Sequence, residues 1–255
     1  MIRITVHSYK GGTGKTTIAT NLANRLADEG NKVLLVETDY LMPVYHGIFS
    51  RIRPTRFFNE LYENSTFNIE EIIHSYNPRL DIIFSNPEFK PDDILFKMNQ
   101  DQFGRKIKQL LQSITSIQDK YDYLLFDTSP GWSFTLIGNL LVSDIAFVIL
   151  RPNIYEVQGT IRLINEIYRK ARLTKDLQIF VLFNQIPNVE HGKRYLDWKS
   201  SLEREKISIL AEIDCSCELS RELGWGITLV AKNSFLYKNL TPVVNFLEKR
   251  GKIKD

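Results

Sequence analysis

Apolar residues fall along this chain in short blocks of two kinds. Residues 2–6 (Ile-Arg-Ile-Thr-Val) and 32–36 (Lys-Val-Leu-Leu-Val) are compact runs; the second is apolar on both faces, as a strand covered from both sides must be. Similar runs recur at 80–84, 123–126, 145–150, 177–183 and 207–213. Between them, residues 17–27, 101–118, 156–172 and 193–205 carry apolar positions at helical spacing. Gly30 supplies a stop for the first of these helices. The alternation predicts an α/β fold: a mostly parallel twisted sheet flanked by helices on both faces, wound with right-handed crossovers. Residues 44–77 break the rhythm and predict short helices, with Arg51, Arg53 and Arg56 among them. No linker, low-complexity run or internal repeat interrupts the 255 residues, which predicts a single domain over 1–255.

The candidate chemistry sits where strands end. After the first run comes Lys10-Gly11-Gly12-Thr13-Gly14-Lys15-Thr16-Thr17, and a helix follows. Three glycines let backbone N–H groups curl around an anion, and the helix N-terminus adds its own. Lys15 supplies charge to the β- and γ-phosphates of a nucleotide, and the Thr16 hydroxyl can hold Mg²⁺. The run at 123–126 ends in Asp127-Thr128-Ser129-Pro130-Gly131, placing a carboxylate where a Mg²⁺ shell needs one. The run at 32–36 ends in Glu37-Thr38-Asp39, with Asp39 again at a strand end beside the phosphates.

The early lysine narrows the assignment. An ordinary phosphate loop has glycine five positions before the glycine of G-K-[ST], and here Tyr9 stands there, followed by Lys10-Gly11-Gly12. This resembles the deviant Walker A loop of the ParA/MinD family of P-loop ATPases, most closely that of its ParA-type partition members. The resemblance implies that Lys10 reaches across a dimer interface to the partner's nucleotide and acts with Lys15 and Asp39 in catalysis. Asp39 matches the family's second switch aspartate, which positions the attacking water. Glu37 replaces the first aspartate, and Tyr40-Leu41-Met42-Pro43 departs from the usual P-Q-G-N. The tail after Asp127 resembles the family's second switch loop, in which a glycine N–H senses the γ-phosphate.

The base site comes after the run at 177–183. Asn184-Gln185-Ile186-Pro187 has proline where related GTPases carry the aspartate that reads guanine, which favours ATP; the resemblance implies that Asn184 hydrogen-bonds adenine. The ATP-binding set is thus Lys10, Gly11, Gly12, Thr13, Gly14, Lys15, Thr16, Thr17 and Asn184, with Thr16 and Asp127 on Mg²⁺. Ile213-Asp214 replaces the family's usual Ile-Pro in the next base-contacting loop.

Charge changes the picture only in patches. Thirty-three Lys plus Arg against thirty Asp plus Glu leave a net charge of +3, far from a histone-like excess. Arg162, Arg169 and Arg172 fall within one arc of the helix that buries Leu163, Ile164, Ile167 and Tyr168, and residues 249–254 form a basic tail. ParA relatives bind DNA non-specifically through such patches across an ATP-bound homodimer and are activated by a ParB-like partner, so chromosome or plasmid partition is the implied role. A MinD-type membrane switch is the alternative; it would use an amphipathic helix from Pro242 on, whereas Val243, Val244, Phe246 and Leu247 also suit a last helix packed on the core. A metal-cluster carrier or metallochaperone lacks its C-x-x-C pair, because Cys215 and Cys217 form only C-x-C and read as reduced thiols. Met1-Ile2-Arg3 leads straight into the first strand, and the stretch at 140–150 is too short to span a bilayer, so a cytoplasmic protein is expected.

Overall fold

The computed structural model describes residues 1–251 except 96, 175, 188–192, 225 and 227. Its strands are β1 (Ile2–His7), β2 (Val33–Glu37), β3 (His74–Asn77), β4 (Leu80–Ile83), β5 (Tyr123–Asp127), β6 (Ile145–Leu150), β7 (Gln178–Ile186) and β8 (Ser208–Asp214). They form one sheet in the order β3-β4-β2-β5-β1-β6-β7-β8, parallel throughout except for the antiparallel β3–β4 pair. The strand order reverses about β1 and β5, and a ligand crevice belongs at the carboxyl ends beside such a reversal.

Period-two alternation in β2 feeds two cores at once. Val33 and Leu35 point into one with Ile4, Leu22 and Leu26, while Leu34 and Val36 point into the other with Leu110, Ile114 and Phe126. The first core is roofed by α1 (Lys15–Asp28), α2 (Tyr45–Ile48), α11 (Phe235–Asn239) and α12 (Thr241–Gly251). The opposite face carries α3 (Glu60–Glu63), a 3₁₀ turn at Ile69–Ile72, α4 (Pro91–Ile94) and α5 (Gln100–Ser116) under β2 and β5. Farther along that face, α6 (Phe134–Val142), α7 (Ile154–Leu163), α8 (Arg169–Thr174) and α9 (Lys193–Arg204) cover β6 and β7. The remaining helix, α10 (Cys217–Gly224), comes after β8. No helix among the described residues is long and apolar enough to cross a membrane.

Two buried polar side chains fix α1, the helix behind the glycine loop. Asn21 donates to the Thr228 carbonyl at 2.9 Å and accepts from the Val230 N–H at 2.8 Å. Arg25 bonds Glu29 at 2.9 Å and the Thr241 hydroxyl at 3.0 Å, and donates to the Tyr237 carbonyl. Buried donors left unpaired are costly, so these bonds fix how the C-terminal helices seat on α1.

Two features depart from the sequence pattern, and the last helix takes one of the two forms the sequence left open. The helix expected at 156–172 is not continuous: α7 runs into a π-helical turn at Ile164–Tyr168 before α8. The extra residue of that turn rotates α8 by about a quarter turn relative to α7, and Arg169 and Arg172, without Arg162, line a cavity with Arg204 and Lys206 at the turn between α9 and β8. The strand β3, whose sequence is His-Ser-Tyr-Asn, has no apolar alternation to announce it. Finally, α12 spends its apolar face on the core: Val243, Val244 and Leu247 are buried, and Phe246 stacks edge-on to Phe180 with ring centroids 4.7 Å apart. Residues 252–254 of the basic tail lie outside the described residues.

Leu247→Ala leaves a cavity in the first core and is expected to cost about 2–5 kcal/mol. A fall in the urea midpoint at unchanged m-value is the readout.

Candidate functional site

The carboxyl ends of β1, β2, β5 and β7 bring the sequence-predicted residues together. The loop at residues 8–14 leaves β1 and enters α1 at Lys15. Gly12 and Gly14 have φ of +75° and +90°, a region open to glycine at little cost. Gly14 is constrained further, since a Cβ there would run into the Asn184 amide. That amide donates to the Thr13 carbonyl at 2.7 Å, and Gln185 donates to the Gly12 carbonyl at 3.4 Å, so β7 braces the loop from behind.

Lys15 and Lys10 occupy opposite settings. Lys15 is 7% exposed and close enough to Asp127 and His7 to shift both pKa values. Lys10 is exposed, with its ammonium 5.6 Å from the ring centroid of Tyr155. Asp127 lies in register with Val6 on β1 and Glu37 on β2. Burial raises its pKa to about 6, while Lys15, the Thr16 hydroxyl and Tyr45 pull the other way. Its Oδ2 accepts from the Tyr45 hydroxyl at 3.2 Å, and its Oδ1 is buried with no hydrogen-bond partner. An unspent carboxylate oxygen beside a threonine hydroxyl at a helix start suits a hard divalent cation that keeps most of its waters, so Thr16 and Asp127 fit Mg²⁺.

Asp39 is partly exposed at the end of the β2 segment. Its Oδ1 accepts from the N–H groups of Leu41 and Met42 at 3.2 and 3.1 Å and from the Ser129 hydroxyl at 2.8 Å. This is an Asx-type turn tied to the loop after β5. That loop is closed down: the Gly131 N–H donates to the Ser8 carbonyl at 2.9 Å. Arg162, Arg169 and Arg172 do not join this assembly. Arg162 pairs with Glu166 at 2.8 Å, and Arg169 lies 3.6 Å from Glu205. Cys215 and Cys217 are exposed and free, and no group of three or more potential metal ligands of the His, Cys, Asp and Glu types occurs among the described residues.

Three residues make contacts that the sequence reading did not assign. Glu37 accepts from the Val44, Tyr45 and Ser85 N–H groups at 2.6, 2.9 and 3.1 Å and so pins the chain after β2. Burial lifts its pKa to about 8 against those three donors, with Asp127 adding to the lift. Thr38 donates to the Asp127 carbonyl at 2.9 Å and accepts from Asn139 at 2.8 Å. His7 lies between the Tyr168 hydroxyl at 2.6 Å and the Gly131 carbonyl at 2.8 Å. A carbonyl only accepts, so Nε2 carries the proton and Tyr168 donates to Nδ1. Burial, reinforced by Lys15, pushes the His7 pKa down to about 3 and keeps the ring neutral. A lone strand-end His and the Glu-for-Asp replacement were the available signals, and neither specifies its partner.

A family model described as an AAA domain matches residues 1–179. The chain belongs to that family, and within it to the ParA/MinD family of P-loop ATPases. It is similar to the virulence plasmid ParA family protein pGP5-D of Chlamydia psittaci, 31% identical over 157 residues that make up 60% of this chain and 58% of that protein. A plasmid partition protein from Borrelia burgdorferi B31, solved bound to AMPPNP, superposes with a TM-score of 0.77 at 26% identity over 97% of this chain and 99% of that one. The septum site-determining protein MinD of Pyrococcus horikoshii, solved with Mg-ADP, has a TM-score of 0.74 at 21% identity, covering 100% and 99% of the two chains; at that identity the likeness is one of fold.

The buried acids make the nucleotide-free protein sensitive to pH. A carboxyl whose pKa is raised on folding contributes stability that is complete below its unfolded value and lost as pH climbs through the folded one. For Glu37 that window runs from 4.5 to about 8, and for Asp127 from 3.8 to about 6. His7 acts oppositely, costing stability as pH falls below 6.5. Glu37→Gln, neutral at every pH, is expected to flatten the loss of melting temperature between about pH 6.5 and 8. A slope like that of the unaltered protein in this variant would mean that Glu37 is ionised throughout.

Proposed function

We propose that residues 1–255 act as one P-loop ATPase domain, an ATP-gated switch that dimerises and thereby segregates or positions DNA. The observation that carries this reading is the pair of lysines in one glycine loop, Lys15 sunk beside Asp127 and Lys10 free at the surface. ATP and Mg²⁺ are its cofactors, as the nucleotide-bound relatives and the unspent Asp127 oxygen support. Lys15 and the loop N–H groups bind the phosphates, Thr16 and Asp127 hold the metal, and Asn184 faces the adenine. The metal, when bound, neutralises charge on the phosphate oxygens.

Asp39 orients the attacking water. Its Oδ1 is held by Leu41, Met42 and Ser129, which leaves Oδ2 for that task. Turnover by this single carboxylate is slow and is raised by an activating partner of the ParB type. Lys10 reaches the nucleotide of a second copy, compensating two triphosphates brought face to face. The partition names among the relatives favour DNA as cargo and the nucleoid as location. The membrane reading loses support because α12 buries Val243, Val244 and Leu247 instead of presenting them.

Lys15→Ala is expected to abolish Mg-ATP binding in calorimetry. Asp39→Ala should bind ATP but slow hydrolysis roughly 10²-fold or more, and light scattering should then find it dimeric with ATP and monomeric with ADP. Adding Lys10→Ala to Asp39→Ala should return it to a monomer with ATP still bound. A dimer that ignores both nucleotide and Lys10 would refute the proposed assembly.

A further inference from the structure

A polar face of α5 borders a cavity where a helix face turned toward its neighbours is ordinarily apolar. Gln102, Arg105, Lys106 and Gln109 stand at i, i+3, i+4 and i+7 and so form one stripe. The stripe lines a cavity of about 640 Å³ between α5, the end of α3 and the segment after α4. Leu110 and Ile114, on the adjoining face of α5, feed the core instead. None of the residues assigned to the nucleotide lines this cavity, and neither does Arg162, Arg169 or Arg172.

The stripe does two things. Lys106 donates to the Asn64 carbonyl, and Gln109 donates to the Ser65 carbonyl at 3.3 Å, so both fasten the loop that ends α3. Neither acceptor carries a charge. Partial burial holds the Lys106 pKa below its usual value, as expected of an ammonium short of water without a carboxylate beside it. Arg105 makes no ion pair or hydrogen bond among the described residues. Gln102 spends its Oε1 on the Asn99 N–H at 2.9 Å, which leaves its amide N–H groups to donate. One wall thus offers two cations and an amide donor, with no carboxylate bound to either cation. Glu63, the one carboxylate among the described lining residues, is paired with none of them.

Another part of the lining is apolar. It is made by Tyr62, 4% exposed, and by the half-buried Ile94 and Met98. The rim beside it is polar, with Glu63, Asn64 and Ser65 exposed.

We propose that this cavity binds a soluble phosphomonoester that carries an aromatic or apolar group. A phosphomonoester bears about −1.5 to −2 charges at pH 7. The Arg105 fork, the Lys106 ammonium and the Gln102 amide suit its oxygens. Tyr62, Ile94 and Met98 take the rest of the molecule, the Met98 thioether being well suited to the edge of a ring. The volume falls in the range of small-molecule sites and exceeds what a bare phosphate needs. A polar rim gives a bilayer nothing apolar to hold, which favours a soluble source over a lipid headgroup. The site stands whether or not the protein dimerises on ATP or binds DNA.

The test uses phenyl phosphate as probe, with Mg-ADP saturating so that the glycine loop is filled. Saturation-transfer NMR should show the phenyl protons bound, and inorganic phosphate should displace them only at roughly tenfold higher concentration or more. Arg105→Ala, which breaks no contact of the fold, should weaken phenyl phosphate roughly tenfold at unchanged melting temperature, as loss of a charged hydrogen bond predicts. Met98→Ala should narrow the preference for phenyl phosphate over inorganic phosphate. No transfer to phenyl phosphate, transfer that Arg105→Ala leaves unchanged, or equal competition by inorganic phosphate would each overturn the proposal. Sedimentation with vesicles containing phosphatidic acid separates the two sources of such a phosphate. Protein that stays in the supernatant upholds a soluble one, whereas pelleting that Arg105→Ala abolishes would transfer the site to a lipid headgroup and overturn it.

Discussion

The buried ammonium of Lys15 is the charge around which the crevice is organised. A cation that is 7% exposed needs a counter-charge close by, and Asp127 supplies it from the end of β5. The parallel register sets Glu37 beside that aspartate, so two acids and one base share a place with little water. Burial pushes both acids up, Asp127 to about 6 with Asp39 adding to the lift, and Glu37 to about 8 with Asp127 adding to it. The same lysine helps keep His7 uncharged. Backbone donors from Val44, Tyr45 and Ser85 then hold Glu37, and the Tyr45 hydroxyl holds Asp127. The chain that leaves β2 is thereby anchored to the phosphate loop's own charge balance.

A second chain of contacts runs from this crevice into the helical layer. The Gly131 carbonyl accepts from His7, and His7 accepts from Tyr168 at the end of the π turn. The Gly131 N–H is meanwhile spent on the Ser8 carbonyl. Both hydrogen-bonding groups of Gly131 are thus engaged inside the fold, and His7 and Tyr168 are fully buried. The loop after β5 and the π turn at Ile164–Tyr168 are thus joined through His7 by two hydrogen bonds.

The C-terminal helix bears on the choice between cargoes. An amphipathic helix can present its apolar face to lipid only if the fold does not need it. Here Val243, Val244 and Leu247 complete the core above β1, and Arg25 of α1 clamps the start of that helix through Thr241. Freeing the apolar face would open the core beneath the helix that begins at Lys15.

The seven mutually parallel strands and the phosphate loop were legible in the sequence because each is written in contiguous residues. A strand covered on both faces must be an apolar run, and a phosphate cradle must be glycines next to a lysine at a helix start. Family membership came from the same contiguity, in Lys10-Gly11-Gly12 and Lys15. The resemblance could number Asp39, yet it could not tell that its Oδ1 is occupied by Leu41, Met42 and Ser129. The edge strand His74–Asn77 stayed hidden because it pairs through its backbone with few apolar side chains to mark it. Glu37, joined to residues 7 and 48 positions away, and His7, joined to Tyr168 161 positions away, were decided by tertiary structure alone. So was the cavity of four cations: Arg169 and Arg172 come from one helix and Arg204 and Lys206 from the end of another, and only the π turn and the pairing of β7 with β8 bring them to one place. Local spacing determines what a segment can form and which anion it can cradle; which charges share a buried space depends on how distant segments pack.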